Sequence, residues 1–229
     1  MTRQIVLDTE TTGLEPSENH RIIEIGCVEL INHVPTGRTF HQYINPERDM
    51  PDGAFRVHGL SADFLMSHPL FSDVVDVFLE FIGDAILVIH NADFDMGFIN
   101  AELTKLSLPK LDMAQSLDTV RMARQKFPGA PANLDSLCKR FNIDNSNREL
   151  HGALLDARLL ADVYLELIGG RQTDLGLAGK INVGDQASGT QKSVTRPPRH
   201  HSASLEEEAK HKAFIETLNE PLWLQINLS

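Results

Sequence analysis

The sequence predicts an α/β fold: one mixed sheet with helices packed on it, followed by a linker and a short helical tail. Strand-like runs crowd the N-terminal segment, a β-branched apolar run lies mid-chain, and blocks of helical period follow it. Gln4–Asp8, Arg21–Ile31 and Thr39–Ile44 read as strands, close enough in sequence to form a meander. Phe71–Ile82 has a helical period, with Ser72 as its expected N-cap. Ala85–His90 is short, apolar and β-branched, so it reads as a buried central strand. Helical patterns follow at Phe94–Leu106, Asp118–Lys126, Asn133–Phe141 and Gly152–Ile168.

Residues 1–169 therefore read as one domain. The segment 170–203 is rich in Gly, Ser, Thr, Gln and Pro, with few residues that could bury, and is expected to be a disordered linker. In the tail, residues 204–229, Ser204-Leu205-Glu206-Glu207 resembles a capping box, and its helix should run to about Leu218, before Pro221.

Bulk properties narrow the function classes. Apolar residues make up 41% of the 229 and charged residues 23%, a globular balance. No run approaches the roughly 18 apolar residues of a membrane span, and the N-terminus shows no signal-peptide pattern. The two cysteines, Cys27 and Cys138, form no paired spacing, which argues against a zinc site or a disulfide framework. A cytoplasmic enzyme with no membrane partner fits. A net charge of −11 is unusual for a protein that grips phosphates, since such proteins carry basic patches. Nucleic acid would have to be met through metal ions, with something else delivering the enzyme.

Three segments carry chemistry. In Asp8-Thr9-Glu10, after the opening strand, residues two apart project to one side, so both carboxylates point together. Thr9, Thr11, Thr12 and Gly13 then turn the chain away. Alone, such a pair is equally an acidic turn. In His90–Phe98, Asp95 falls in the first turn of a helix whose Phe94 and Phe98 face the core, a position where acids are common for the helix dipole. Open sheets bind ligands at the carboxyl ends of their strands, where Asp8, Glu10 and Asp95 all lie. In His151–Asp156, the acid opens a strongly apolar helix, and the imidazole sits on the loop before it. Each signal is modest alone; the set is specific.

These segments resemble the motifs of the DEDDh 3′–5′ exonucleases: DTETTG (Asp8–Gly13), HNADFDMGF (His90–Phe98) and HGALLDA (His151–Ala157), in order. The closest resemblance is to the family's proofreading members, which serve a bacterial replicative DNA polymerase. It implies a ribonuclease H-like fold with a mixed five-stranded sheet flanked by helices. It implies Asp8, Glu10, Asp95 and Asp156 as metal-binding acids and His151, in place of the tyrosine of a sister branch, as general base. Val57-His58-Gly59-Leu60 resembles a segment that meets the terminal nucleotide, so His58, with Asp8, Thr9, Glu10, Thr11 and Asp156, is expected to touch substrate. Asp93 departs from the pattern, where a small residue is expected.

The residue types suit the chemistry. Four carboxylates at one strand edge repel, at about 4 kcal/mol for a pair ~4 Å apart at an effective dielectric of 20. Divalent cations remove that penalty, and hard oxygen ligands select Mg²⁺ or Mn²⁺. Two ions would lower the pKa of a bound water and stabilise the leaving oxygen, while His151 takes the water's proton. The ions also answer the charge puzzle, since they hold the scissile phosphate locally and a tether supplies effective concentration.

Gln172–Leu177, with Gln172, Leu175 and Leu177 as contacts, resembles the short motif by which replication proteins dock on the sliding clamp. The tail's Phe214, Leu218 and Trp223 have too little chain around them to bury themselves. The resemblance implies that they dock on the polymerase subunit, the alternative being that they fold back on their own domain. A small accessory subunit is left open. Among other functions, an RNA-trimming exonuclease would share the chemistry but needs neither linker nor tail. A dead adaptor should lack a site residue, and none is missing. A binding module without chemistry should be basic.

Overall fold

The computed structural model describes residues 2–148, 150–170 and 202–218. Among these, one five-stranded sheet runs in the order β3-β2-β1-β4-β5. Its strands are β1 (Arg3–Thr11), β2 (Ile22–Ile31), β3 (Val34–Tyr43), β4 (Ile86–Ile89) and β5 (Ser116–Asp118). β1 pairs antiparallel with β2, with Asp8 opposite Gly26, and parallel with β4, with Leu7 opposite Ile89. The meander read at the start of the sequence is β1-β2-β3. The fifth strand escaped the sequence reading because β5 has only three residues, all half-buried.

The helices are α1 (Asp52–His58), α2 (Ala62–Leu65), α3 (Phe71–Ile82), α4 (Ala92–Lys105), α5 (Thr119–Lys126), α6 (Leu134–Phe141), α7 (Ala153–Leu167) and α8 (Leu205–Glu216). Period-two alternation along β1 divides the core. Ile5 and Leu7 pack with α3 and α4 on one face, while Val6 packs with α5, α6 and α7 on the other. Full burial of an apolar side chain is worth about 1.5–3 kcal/mol, so each layer is anchored by several such contacts. The chain is fixed closely where α7 crosses the sheet: a Cβ on Gly26 would overlap the backbone of Ala153 and Leu154, so only glycine lets the first turn of α7 rest on β2.

Several expectations are corrected at the element ends. Ser72 lies inside α3; the N-cap is Leu70, whose N–H donates to the Asp73 carboxylate at 2.9 Å. Thr9 and Thr11 belong to β1, which runs past Asp8 to Thr11 before turning. Asp118 caps α5, accepting from the N–H groups of Val120 and Arg121. The tail helix starts at Ser204 with the expected capping box, Glu207 answering the N-cap, and ends at Glu216. α8 belongs to a separate unit from the sheet. Most of the linker, the whole 172–177 segment and Trp223 lie outside the described residues. No helix among the described residues is long and apolar enough to cross a membrane.

Candidate active site

Asp8 and Glu10 share one face of β1, the face that packs against α7, and Asp156 stands in the first turn of α7. Thr9 faces the other layer. There its N–H and its hydroxyl donate to one oxygen of Asp95, at 3.0 and 2.7 Å. Asp95 arrives from α4, which begins straight after β4 because Asn91 takes a left-handed conformation (φ 72°) and turns the chain at once. Two acids from β1 and one from each helical layer thus meet beyond the carboxyl ends of the parallel pair β1 and β4.

All five residues expected to do chemistry, Asp8, Glu10, Asp95, His151 and Asp156, line one cavity of about 290 Å³. Thr9, His90, Phe94, Asn133, Leu134, Asp135 and Arg148 complete it. His151 is on the loop before α7, where its N–H donates to the Val57 carbonyl at 3.1 Å. Ligand atoms of Glu10, His151 and Asp156 lie within 4.8 Å of one another.

The electrostatics follow from crowding negative charge in a dry place. Burial, then Asp95, Glu10 and Asp156, hold the Asp8 carboxyl well above its ordinary range. Burial, and after it Asp156, Glu24 and Asp95, push Glu10 up to about 8. Burial raises Asp95 to about 7 against the opposing pull of the Thr9 hydrogen bonds. Such carboxyls are short of positive charge, and a set of hard oxygens with one imidazole and no thiolate fits a divalent cation.

His58 sits apart from that cavity. It lines a second pocket of about 510 Å³ with Thr9, Glu10, Thr11, Thr12, Gly13, Leu14 and Phe94, and Thr9, Glu10 and Phe94 are common to both. Its Nδ1 accepts the Leu60 N–H at 3.0 Å, so the neutral ring carries its proton on Nε2, which is buried without a partner. Burial, and after it His151, lowers its pKa, which keeps the ring neutral. Asp93, the departure from the expected pattern, is harmless: it is exposed and pairs with Arg121 at 2.9 Å.

Among the cavity residues not expected from sequence, the charged ones are Arg148 and Asp135. Arg148 forks onto both oxygens of Asp156, each at 2.6 Å, and reaches Asp135 at 2.7 Å. A lone arginine three residues before a motif has no spacing signature, and the only available signal was its place beside His151. In the tail, Phe214 is exposed and Leu218 is at the margin of exposure.

A model of the family described as Exonuclease (RNase_T) matches residues 5–164. Among curated proteins, the chain is 51% identical to DNA polymerase III subunit epsilon of Rickettsia conorii, over 93% of this chain and 95% of that one. It is 50% identical to DNA polymerase III subunit epsilon of Escherichia coli, over 78% and 76% respectively. Among solved structures, it resembles exonuclease X in complex with 5′ overhanging duplex DNA, at 25% identity and a TM-score of 0.57, covering 73% of this chain and 91% of that one. The nuclease domain of a DEDDh family member bound to rAMP shares the fold, at 21% identity and a TM-score of 0.62, covering 72% and 91%. The match spans every segment that lines the cavity and nearly the full length of the rickettsial relative, so the chain belongs to the exonuclease family, alongside the epsilon subunits of DNA polymerase III.

Proposed function

We propose that this chain is the proofreading 3′–5′ exonuclease of a bacterial replicative polymerase, working in the cytoplasm and hydrolysing the 3′-terminal phosphodiester of DNA to release nucleoside monophosphates. The observation that carries the reading is the gathering of four carboxylates, two from β1 and one from each helical layer, around one small cavity. Asp8, Glu10, Asp95 and Asp156 would hold two Mg²⁺ or Mn²⁺ ions. When bound, these supply Lewis-acid charge at the scissile phosphate and an acidified water.

The chain's own side chains supply the rest. Thr9 fixes the rotamer of Asp95 through two hydrogen bonds. His151 takes the proton of the attacking water. His58, which lines the adjoining pocket and keeps a buried, unpartnered Nε2–H, would donate to an oxygen of the terminal nucleotide, and Phe94 is common to the two pockets. Thr9, Glu10 and Thr11 line the same pocket and meet that nucleotide at its edge.

Gln172, Leu175 and Leu177 would hold the sliding clamp. Phe214, Leu218 and Trp223 would hold the polymerase alpha subunit, and a small accessory subunit could join the same assembly. The exposure of Phe214 supports an apolar partner for this helix.

The test is Asp8→Ala. Mg²⁺-dependent loss of 3′ nucleotides should disappear while the circular dichroism and the melting transition persist; full activity on clean protein would end the assignment. Running mispaired DNA primers beside short RNAs in that assay separates proofreading from RNA trimming.

A further inference from the structure

We propose that Arg148 is a positioning residue that holds Asp156 in the metal-free site and is exchanged for the divalent cation on loading, an exchange that frees His151. This rests on the catalytic reading above but concerns a residue which that reading does not use.

The geometry is specific. Nε and Nη2 of Arg148 each donate to a different oxygen of Asp156, both at 2.6 Å. The pair is inside the protein, with the Arg148 side chain 7% and that of Asp156 4% exposed, so it is no loose surface contact. A forked pair of this kind is among the strongest that side chains make, and it occupies both carboxylate oxygens at once. Yet Asp156 is also one corner of the triangle with Glu10 and His151 whose ligand atoms lie within 4.8 Å. A cation held by Glu10 and Asp156 and a guanidinium on the same Asp156 carboxylate are like charges competing for one partner.

A third contact ties the exchange to the base. Nη2 of Arg148 lies 3.0 Å from Nδ1 of His151. A guanidinium has donors only, so Nδ1 must be the acceptor and the neutral ring keeps its proton on Nε2. With Nδ1 spent on Arg148 and Nε2 already protonated, the imidazole has no lone pair for a water's proton. The Arg148 contact thus occupies the nitrogen that would accept the proton. The fourth contact gives the guanidinium somewhere to remain: Nη1 donates to Asp135 at 2.7 Å, and Asp135 is exposed at the start of α6 and steadied by Asn145. Withdrawal onto Asp135 would clear Asp156 and Nδ1 together, so base and metal site become competent in one movement.

The experiment has two arms on the full chain. In the first, ¹⁵N-labelled metal-free protein is titrated with Mg²⁺ and the imidazole nitrogens of His151 are followed, assigned by their loss in His151→Gln. The expected result is a shift of the Nδ1 resonance that tracks Mg²⁺ binding measured by calorimetry. An unmoved resonance at Mg²⁺ saturation overturns the proposal, and no variant that could misfold is involved. In the second arm, Mn²⁺ is titrated calorimetrically into wild type and Arg148→Gln. Removal of a competitor should tighten Mn²⁺ binding, by about tenfold for a relief of ~1.4 kcal/mol. An unchanged or weaker affinity would make Arg148 a brace of the finished site and overturn the exchange. Failure of wild type to bind Mn²⁺ at all would sink the catalytic reading itself, a result distinct from the other two.

Discussion

Thr9 stands between two acids on β1 yet serves a third from the opposite layer, and its two hydrogen bonds set where the Asp95 carboxylate points. Thr9→Val keeps shape and volume but removes the hydroxyl bond. The expected outcome is a fold intact to within about 1 kcal/mol and a metal affinity roughly 10-fold weaker, read by denaturation and calorimetry side by side. His151→Ala should lower kcat by about 10² to 10⁴ with KM little changed; a loss confined to KM would refute the base role. His58→Ala should do the opposite, raising KM on DNA ends, because His58 lines the adjoining pocket and is absent from the cavity that gathers the acids. At this scale the acids and His151 were readable because they fall in short ordered motifs. The Thr9–Asp95 contact was not, since its partners are 86 positions apart and a threonine in a strand carries no mark of what it holds. Arg148 was invisible for the same reason: its meaning lies in three side chains delivered by different elements.

Among the elements, the crossing of α7 over β2 decides whether the site exists. Gly26 has no side chain, so the first turn of α7, with Asp156 in it, comes down onto main chain opposite Asp8. Gly26→Ala should lift that turn, costing about 1–3 kcal/mol as an overpacked contact. It should also weaken Mn²⁺ binding although every ligand is present. A melting curve and a Mn²⁺ titration check both, and normal metal affinity would show that the helix tolerates the methyl. Most elements announce themselves by period: α3 buries Phe71, Val74, Val75, Phe78 and Ile82 along one stripe, and β1 alternates between two cores. The unannounced ones lack a stripe. α1 buries only His58, and β5 is too short to show alternation, its place fixed by pairing with β4 at Leu87, Val88 and Ile89.

For the whole molecule, the acid cluster makes metal-free stability depend on pH. Glu10 keeps its proton in the fold up to about 8, whereas an unfolded Glu releases it near 4.5; for Asp95 the interval runs from 3.8 to about 7. The folded state then binds more protons than the unfolded one across these intervals, so stability falls as pH rises through them and levels off above. In chelator, the melting temperature should drop between pH 5 and pH 8, intervals set by the same two carboxyls. Saturating Mg²⁺ should restore more at the higher pH; a melting temperature that climbs with pH in chelator would contradict the crowding.

The residues around the cavity run from position 8 to position 156, and nothing before α7 can close it. A chain leaving the ribosome therefore presents its first two acids early, but lacks Asp156 until the whole sheet has been made. The site and the last helix over the sheet are thus completed together.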